Sequence, residues 1–214
     1  MAANILGFMS CRAKDIGRPR EAVLLAETAL AGYPGSSPRV RAILALRTAE
    51  AYAVEGSASA ARRALDAAFA DLGDSAGETP DWAYWLDETH AHGQAGYSYL
   101  RLGSHRLARR HLHAAINNGG NGSREVALRY TLLATSYIRE PDADLDHAIG
   151  FAERAADLLD NQIDSTRVAG HLGALVADLS PHRQRPAVRA LADRVRALEA
   201  SGHSRRSQQV PPSM

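Results

Sequence analysis

The chain has 214 residues, with 25 basic and 24 acidic side chains for a net charge of +1, and a single cysteine. That balance gives no overall electrostatic reason for nucleic-acid or membrane-surface binding, and a lone Cys11 excludes an internal disulfide framework. Hydrophobic residues are 45% of the chain, much of it alanine, and aromatics only 6%, so strong helix formers without alternating β-branched runs predict an all-α fold.

The opening MAANILGFMSCRAK is apolar ahead of Cys11 but lacks a basic leader and its apolar run is interrupted, so it does not read as an export signal. No stretch approaches the roughly 18 apolar residues of a membrane span, and a cytoplasmic protein is expected. The first turnaround is Gly17-Arg18-Pro19, with helices predicted over 4–14 and 21–30. Ala22, Ala26 and Ala29 form the inward stripe of the second, and YPGSSP closes this unit. The next unit carries Ala49, Tyr52, Gly56, Ala61, Leu65 and Ala68. Residues 80–117 repeat that spacing at every step with Gly96, Tyr99, Gly103, Ala108, Leu112 and Ala115. Gly96 admits a neighbouring helix backbone, while Gly103 ends the first helix where positive φ is needed. Trp82 and Trp85 are expected one turn apart on a shared face at the start of that helix, beside Tyr84.

After the flexible connector NNGGNGS, a fourth unit keeps Ala134, Tyr137, Ala148, Ala152 and Ala155 but has two extra residues in its turn, EPDADLD. A last pair is predicted over 166–179 and 187–200, separated by SPHRQRP, with Val188, Leu191, Val195 and Leu198 inward as a solenoid cap. The turn glycines Gly17, Gly56 and Gly103 lie roughly 39 and then 47 residues apart, longer than the usual period of about 34. The pattern resembles the tetratricopeptide repeat. The expected architecture is a superhelical solenoid of about five helical hairpins over 1–200, in units 3–33, 38–72, 81–118, 123–160 and 165–200, with a disordered tail at 201–214.

Three pieces, LGFMSCRA, PDWAYWLDE and LSPHRQRPAVRALADRVRAL, resemble the C-terminal tetratricopeptide region of actinobacterial helix-turn-helix (XRE-type) transcriptional regulators. The resemblance spans about 4–200 and implies a regulatory role. Met1 lies almost at the start of the first repeat, so the expectation is a stand-alone sensor half, a fragment, or a start placed too late, with no helix-turn-helix domain within this sequence. Direct DNA binding by this chain alone is therefore not expected.

No catalytic constellation stands out. Cys11 has no base or orienting group near it in sequence and reads as a small core residue. His90 and His92, like His111 and His113, are two apart and point in different directions, and Glu88 with His92 lacks a third ligand, so no metal site is predicted. The glycine-rich run at 119–122 has no P-loop lysine and reads as a connector, so no cofactor is expected. Arginines at 183, 185, 189, 194, 196, 205 and 206 outnumber acids near the end and read as a solvated cap rather than a phosphate-binding patch.

The expected function is non-catalytic binding of a peptide, small effector or protein partner in a concave groove lined by the first helix of each pair. Repeat register places Asn4, Cys11, Glu50, His90, Tyr97, Arg101, Thr131 and Arg139 there. The paired KxxxN and KxxxR clamp for chaperone tails is absent. Trp82, Tyr84 and Trp85 are a candidate homodimer contact. The alternative is a structural adaptor or dimerisation module without an effector.

Overall fold

A computed structural model describes residues 2–74, 78–117, 122–161 and 165–209. Among them are ten α-helices and no strand. They are α1 (Ala2–Asp15), α2 (Pro19–Ala31), α3 (Pro38–Glu55), α4 (Ala58–Gly73), α5 (Glu88–Arg101), α6 (His105–Asn117), α7 (Ser123–Ile138), α8 (Leu145–Asn161), α9 (Thr166–Asp178) and α10 (Pro186–Gln209). The chain divides into two compact units, Met1–Gly119 and Gly120–Met214, where the sequence suggests one domain over 1–200. Helix α10 continues past Ala200 to Gln209, through the first part of the expected tail; 210–214 lie outside the described residues. So do 118–121, which hold most of the glycine-rich connector.

In the first unit the helices pair as α1/α2, α3/α4 and α5/α6, and the three hairpins turn in one way. Gly17, Gly56 and Gly103 have φ of +76°, +96° and +70°, and no other described residue has positive φ. Only glycine adopts that region without a Cβ penalty. The left-handed step lets one carbonyl of the ending helix accept from the residue after the glycine: Arg18 N donates to Ala13 O at 2.9 Å, Ser57 N to Tyr52 O at 2.9 Å, and Ser104 N to Tyr99 O at 2.9 Å. Arg18, Ser57 and Ser104 in turn accept, through their own carbonyls, the amides of Ala22, Ala61 and Ala108.

The second unit keeps this scheme with an insertion. Asp144 N donates to Tyr137 O at 3.1 Å, and Ala148 N to Asp144 O at 3.1 Å. The two added residues fall between the acceptor and its donor, so they lengthen the loop and leave the helix register intact. Glycine is then unnecessary. Asp144 also caps α8, accepting from His147 N at 3.1 Å.

Small residues set how closely each hairpin shuts. A Cβ on Gly96 would lie 2.6 Å from Leu112 Cγ and 3.3 Å from the Ala108 carbonyl, so α5 and α6 touch because that position has no side chain. In the first hairpin the same position is Ser10, whose buried hydroxyl donates to Ala22 O at 2.7 Å. The alanine stripes Ala22/Ala26/Ala29, Ala61/Leu65/Ala68, Ala108/Leu112/Ala115 and Ala148/Ala152/Ala155 are all buried. Bulkier residues, including Val168, Leu172, Leu175, Leu179, Val188, Leu191 and Val195, fill the second unit's core.

Residues 80–87 differ from the expected continuous helix. Asp81–Ala83 form one 3₁₀ turn against α3, and α5 begins only at Glu88. Asp87 stops the helix from starting earlier: its carboxylate accepts from His90 N at 2.7 Å, taking up an amide that a helix start leaves unpaired. Ala83 and Leu86 are fully buried, and Arg39 Nη1 donates to Leu86 O at 2.9 Å. Trp82 and Trp85 therefore do not stand one turn apart on a helix.

Candidate functional site

The first helix of each hairpin in the first unit packs on the next, α1 on α3 and α3 on α5. Where they meet, the structure gathers charges that a helical core does not require. Lys14 of α1 donates to Glu50 Oε2 of α3 at 2.9 Å, and its Nζ lies 4.9 Å from the ring centre of Tyr97 on α5. The two charged side chains are only 8% and 15% exposed. Burial opposes the ammonium charge, but the Glu50 carboxylate, Tyr97 and the hydrogen bond more than offset it, holding Lys14 above the ordinary lysine range.

Arg47, one turn before Glu50 on α3, is buried too. Its Nη1 donates to Asn4 Oδ1 at 2.8 Å and the Asn4 carbonyl at 3.3 Å, and its guanidinium stacks over Phe8 at 4.3 Å. Gly7 makes the room: a Cβ there would collide with the guanidinium and stand 3.0 Å from Arg47 Cδ. Cys11 lies between Arg47 and Lys14 in influence. Burial and Glu50 push its thiol up while the two cations pull it back, and the net is upward, which keeps the sulfur protonated.

Of the residues expected to line a groove, the structure thus brings together Asn4, Cys11, Glu50 and Tyr97. Arg101 is exposed in the last turn of α5, one turn beyond Tyr97. His90 is used locally, with Nδ1 2.8 Å from Asp87 Oδ1 and its ring edge-on to Trp85 at 5.9 Å. Thr131 and Arg139 belong to the second unit. Thr131 is fully buried and its hydroxyl donates to Leu128 O at 2.7 Å, so it faces no groove. Arg139 donates to Asp178 Oδ2 at 2.9 and 3.0 Å, tying the end of α7 to the end of α9. Trp82 and Tyr84 are exposed, and Trp85 is half-buried.

Sequence reasoning missed Lys14 and Arg47, although the signals were present: the only lysine of the chain, and an arginine inside the apolar run of α3. It also missed a pair across α5 and α6. His92 Nδ1 and His111 Nδ1 lie 2.9 Å apart, with Phe69 5.0 Å from the His92 ring and Tyr99 stacked on His111 at 5.3 Å. Burial, then His92 and Arg110, push His111 down to about 4. Burial and Arg110 lower His92 as well, against the pull of Glu88. Among the described residues no group of three or more His, Cys, Asp or Glu is placed to hold a metal ion.

Among the described arginines near the end, three are ion-paired. Arg194 pairs with Glu153 at 2.5 Å and Asp157 at 2.7 Å, Arg185 with Asp146 at 3.4 Å, and Arg196 with Asp193. Among the described residues no helix is long and apolar enough to cross a membrane.

No protein-family model matches the chain, and no curated protein does. Solved structures do. A kinesin light chain from Podosopora anserina with nearly identical TPR-like repeats shares 17% identity over 94% of this chain and 97% of its own, with a TM-score of 0.62. A glutamine-to-methionine variant of that protein gives a TM-score of 0.64 at 17% identity, over 94% and 96% of the two chains. The ArsTM double mutant of MamA RS-1 gives 0.55 at 18% identity, over 95% and 97%. The fold is therefore that of the TPR-like helical repeats.

Proposed function

We propose that this chain is a non-catalytic repeat domain that binds an extended peptide segment of a partner along the first-helix face of its first unit, and that it serves transcriptional regulation. The observation that carries the binding reading is the buried set Lys14, Glu50 and Arg47 against Asn4, Cys11 and Tyr97. Alanine stripes close the hairpins without help from these charges. Removing ions from water costs several kcal/mol each, and apolar residues of like size would be as stable or more so. Lys14 and Arg47 fix Tyr97 and Asn4 from beneath, and those two partly exposed side chains, with exposed Arg101, are what a peptide would meet. Exposed Arg101 extends the surface along α5. Thr131 and Arg139 are not part of it. The regulatory role rests on the resemblance carried by LGFMSCRA, PDWAYWLDE and the PAVRAL ending.

Selection of random displayed peptides on the immobilised full chain tests the binding. Enriched peptides are expected to bind wild type and to lose binding to Arg101→Glu, whose melting should stay within about 1 kcal/mol of wild type because the residue is exposed. Equal affinity for the Arg101→Glu protein would remove the surface from consideration.

A further inference from the structure

In the first unit α2 and α4 both pack on α3, and α4 and α6 both pack on α5. Each pair of second helices thus borders a furrow floored by a first helix, and repeat register aligns the two furrows residue by residue. Their polar frames match: Glu27, Tyr52 and Arg63 in the earlier furrow correspond to Asp66, Tyr99 and Arg110 in the later one. Their fillings differ. The later furrow is plugged by rings, with His111 stacked on Tyr99 at 5.3 Å and lying 5.8 Å from Phe69 and 5.0 Å from His92. At the positions of His111, Phe69 and His92 the earlier furrow has Ala64, Leu30 and Ala45. A hollow of about 490 Å³ is left between α2, α3 and α4, with Glu27, Leu30, Thr48, Tyr52, Arg63 and Ala64 in its lining. That volume lies in the usual range of small-molecule sites, about 300–1,000 Å³.

The hollow carries polar groups that a packing gap does not require. Tyr52 donates its hydroxyl to Glu27 Oε1, which leaves Oε2 to accept from a second donor. That bond, then burial, pushes the Tyr52 phenol up, so it stays a donor. Arg63 is exposed, makes no ion pair among the described residues, and acts on Tyr52 through its charge. On the floor, Thr48 turns its hydroxyl back to Leu44 O at 2.9 Å, so its proton is already used.

We infer that this hollow is a binding site for a small aromatic zwitterion of the amino-acid type. Its ring takes the place that His111 fills in the later furrow, against Tyr52 and Leu30, while its carboxylate meets Arg63 and its ammonium meets Glu27. A carboxylate on α2 and a guanidinium on α4 select for both charges at once: a simple anion would meet Glu27, and a simple cation Arg63. The site shares no residue with the peptide-binding surface proposed above and does not rest on that reading.

Titration of the full chain with L-phenylalanine to about 10 mM, followed by amide chemical shifts, tests the inference. Wild type is expected to bind with a Kd of about 1 mM or tighter, with shifts centred on Tyr52 and Ala64. L-Leucine, which lacks the ring, and 3-phenylpropionate, which lacks the ammonium, should each bind about tenfold more weakly. Ala64→His restores the imidazole of the later furrow and should abolish binding in a folded chain. The inference is overturned by a wild type that binds no L-phenylalanine in that range, by equal affinity for L-leucine or 3-phenylpropionate, or by undiminished affinity in Ala64→His. Should Ala64→His unfold, Arg63→Glu at its exposed position takes its place, with about a tenfold loss expected and unchanged affinity again overturning the inference.

Discussion

The two units join their hairpins by ion pairs of different burial. In the first, Lys14, Glu50 and Arg47 are packed between successive first helices, nearly out of water. In the second, the pairs are more exposed, Arg139 with Asp178, Arg185 with Asp146, and Arg194 with Glu153 and Asp157, each joining one hairpin to the next, although Arg129 of α7 is itself buried. The cores differ to match. The second unit fills its interior with leucine and valine and stacks Tyr130, Phe151, Tyr137 and His147 along α7 and α8. Surface pairs over an apolar core join the hairpins of the second unit, whereas the first unit ties α1 to α3 by the buried Lys14–Glu50 pair. On the proposed reading, that pair and Arg47 mark the binding face.

That contrast can be broken by mutation. Glu50→Ala leaves Lys14 charged and buried without its partner, and should cost about 3–5 kcal/mol in chemical denaturation. A loss below about 1 kcal/mol would mean that water reaches the pair and the two units are alike. Leu112→Ala should cost about 2–5 kcal/mol, since the side chain is fully buried against Gly96. Gly96→Leu should cost about 1–3 kcal/mol or more by overpacking, and neutrality of both would show that α5 and α6 do not close as described.

Acid should act on the first unit through His111. Its neutral form is favoured when folded, with a value near 4 against an ordinary 6.5. The unfolded chain therefore binds the extra proton first, and stability is lost as pH falls from about 6.5 towards about 4. The groups around the pair are Glu88 on α5 and Arg110 on α6. Replacement with phenylalanine, His111→Phe, should flatten that part of the denaturation-versus-pH curve; an unchanged slope would assign the acid sensitivity elsewhere. The smallest effect belongs to Arg139→Ala, whose partly exposed pair should be worth under about 1 kcal/mol.

The hairpins were legible because each depends on local chemistry. Gly56 and Gly103 sit at one spacing from Tyr and from the alanine stripe, and positive φ follows from where they fall. The insertion in EPDADLD could be counted for the same reason. The site was legible only in part. Repeat register placed Asn4, Glu50 and Tyr97 on one face, but it says nothing of what crosses between helices. Lys14 reaches Glu50 over 36 residues and His92 meets His111 over 19, so neither pairing leaves a mark at helical spacing. Thr131 shares the register of a groove position yet is covered by its own helix and core. Around Trp82 the difference is local, because Asp87 caps α5 after both tryptophans instead of the helix starting at Trp82.

The most direct measurement replaces the buried pair with apolar residues and asks stability and binding separately. In Lys14→Met/Glu50→Leu neither member of the pair is left stranded and Arg47 keeps its bonds to Asn4 and its stacking on Phe8, so denaturation should show a chain about as stable as wild type. Titration calorimetry with a peptide selected on wild type should show its affinity lost by about tenfold or more, because the charges that fix Tyr97 from beneath are gone. Undiminished affinity in a folded double variant would contradict the claim that these charges serve binding.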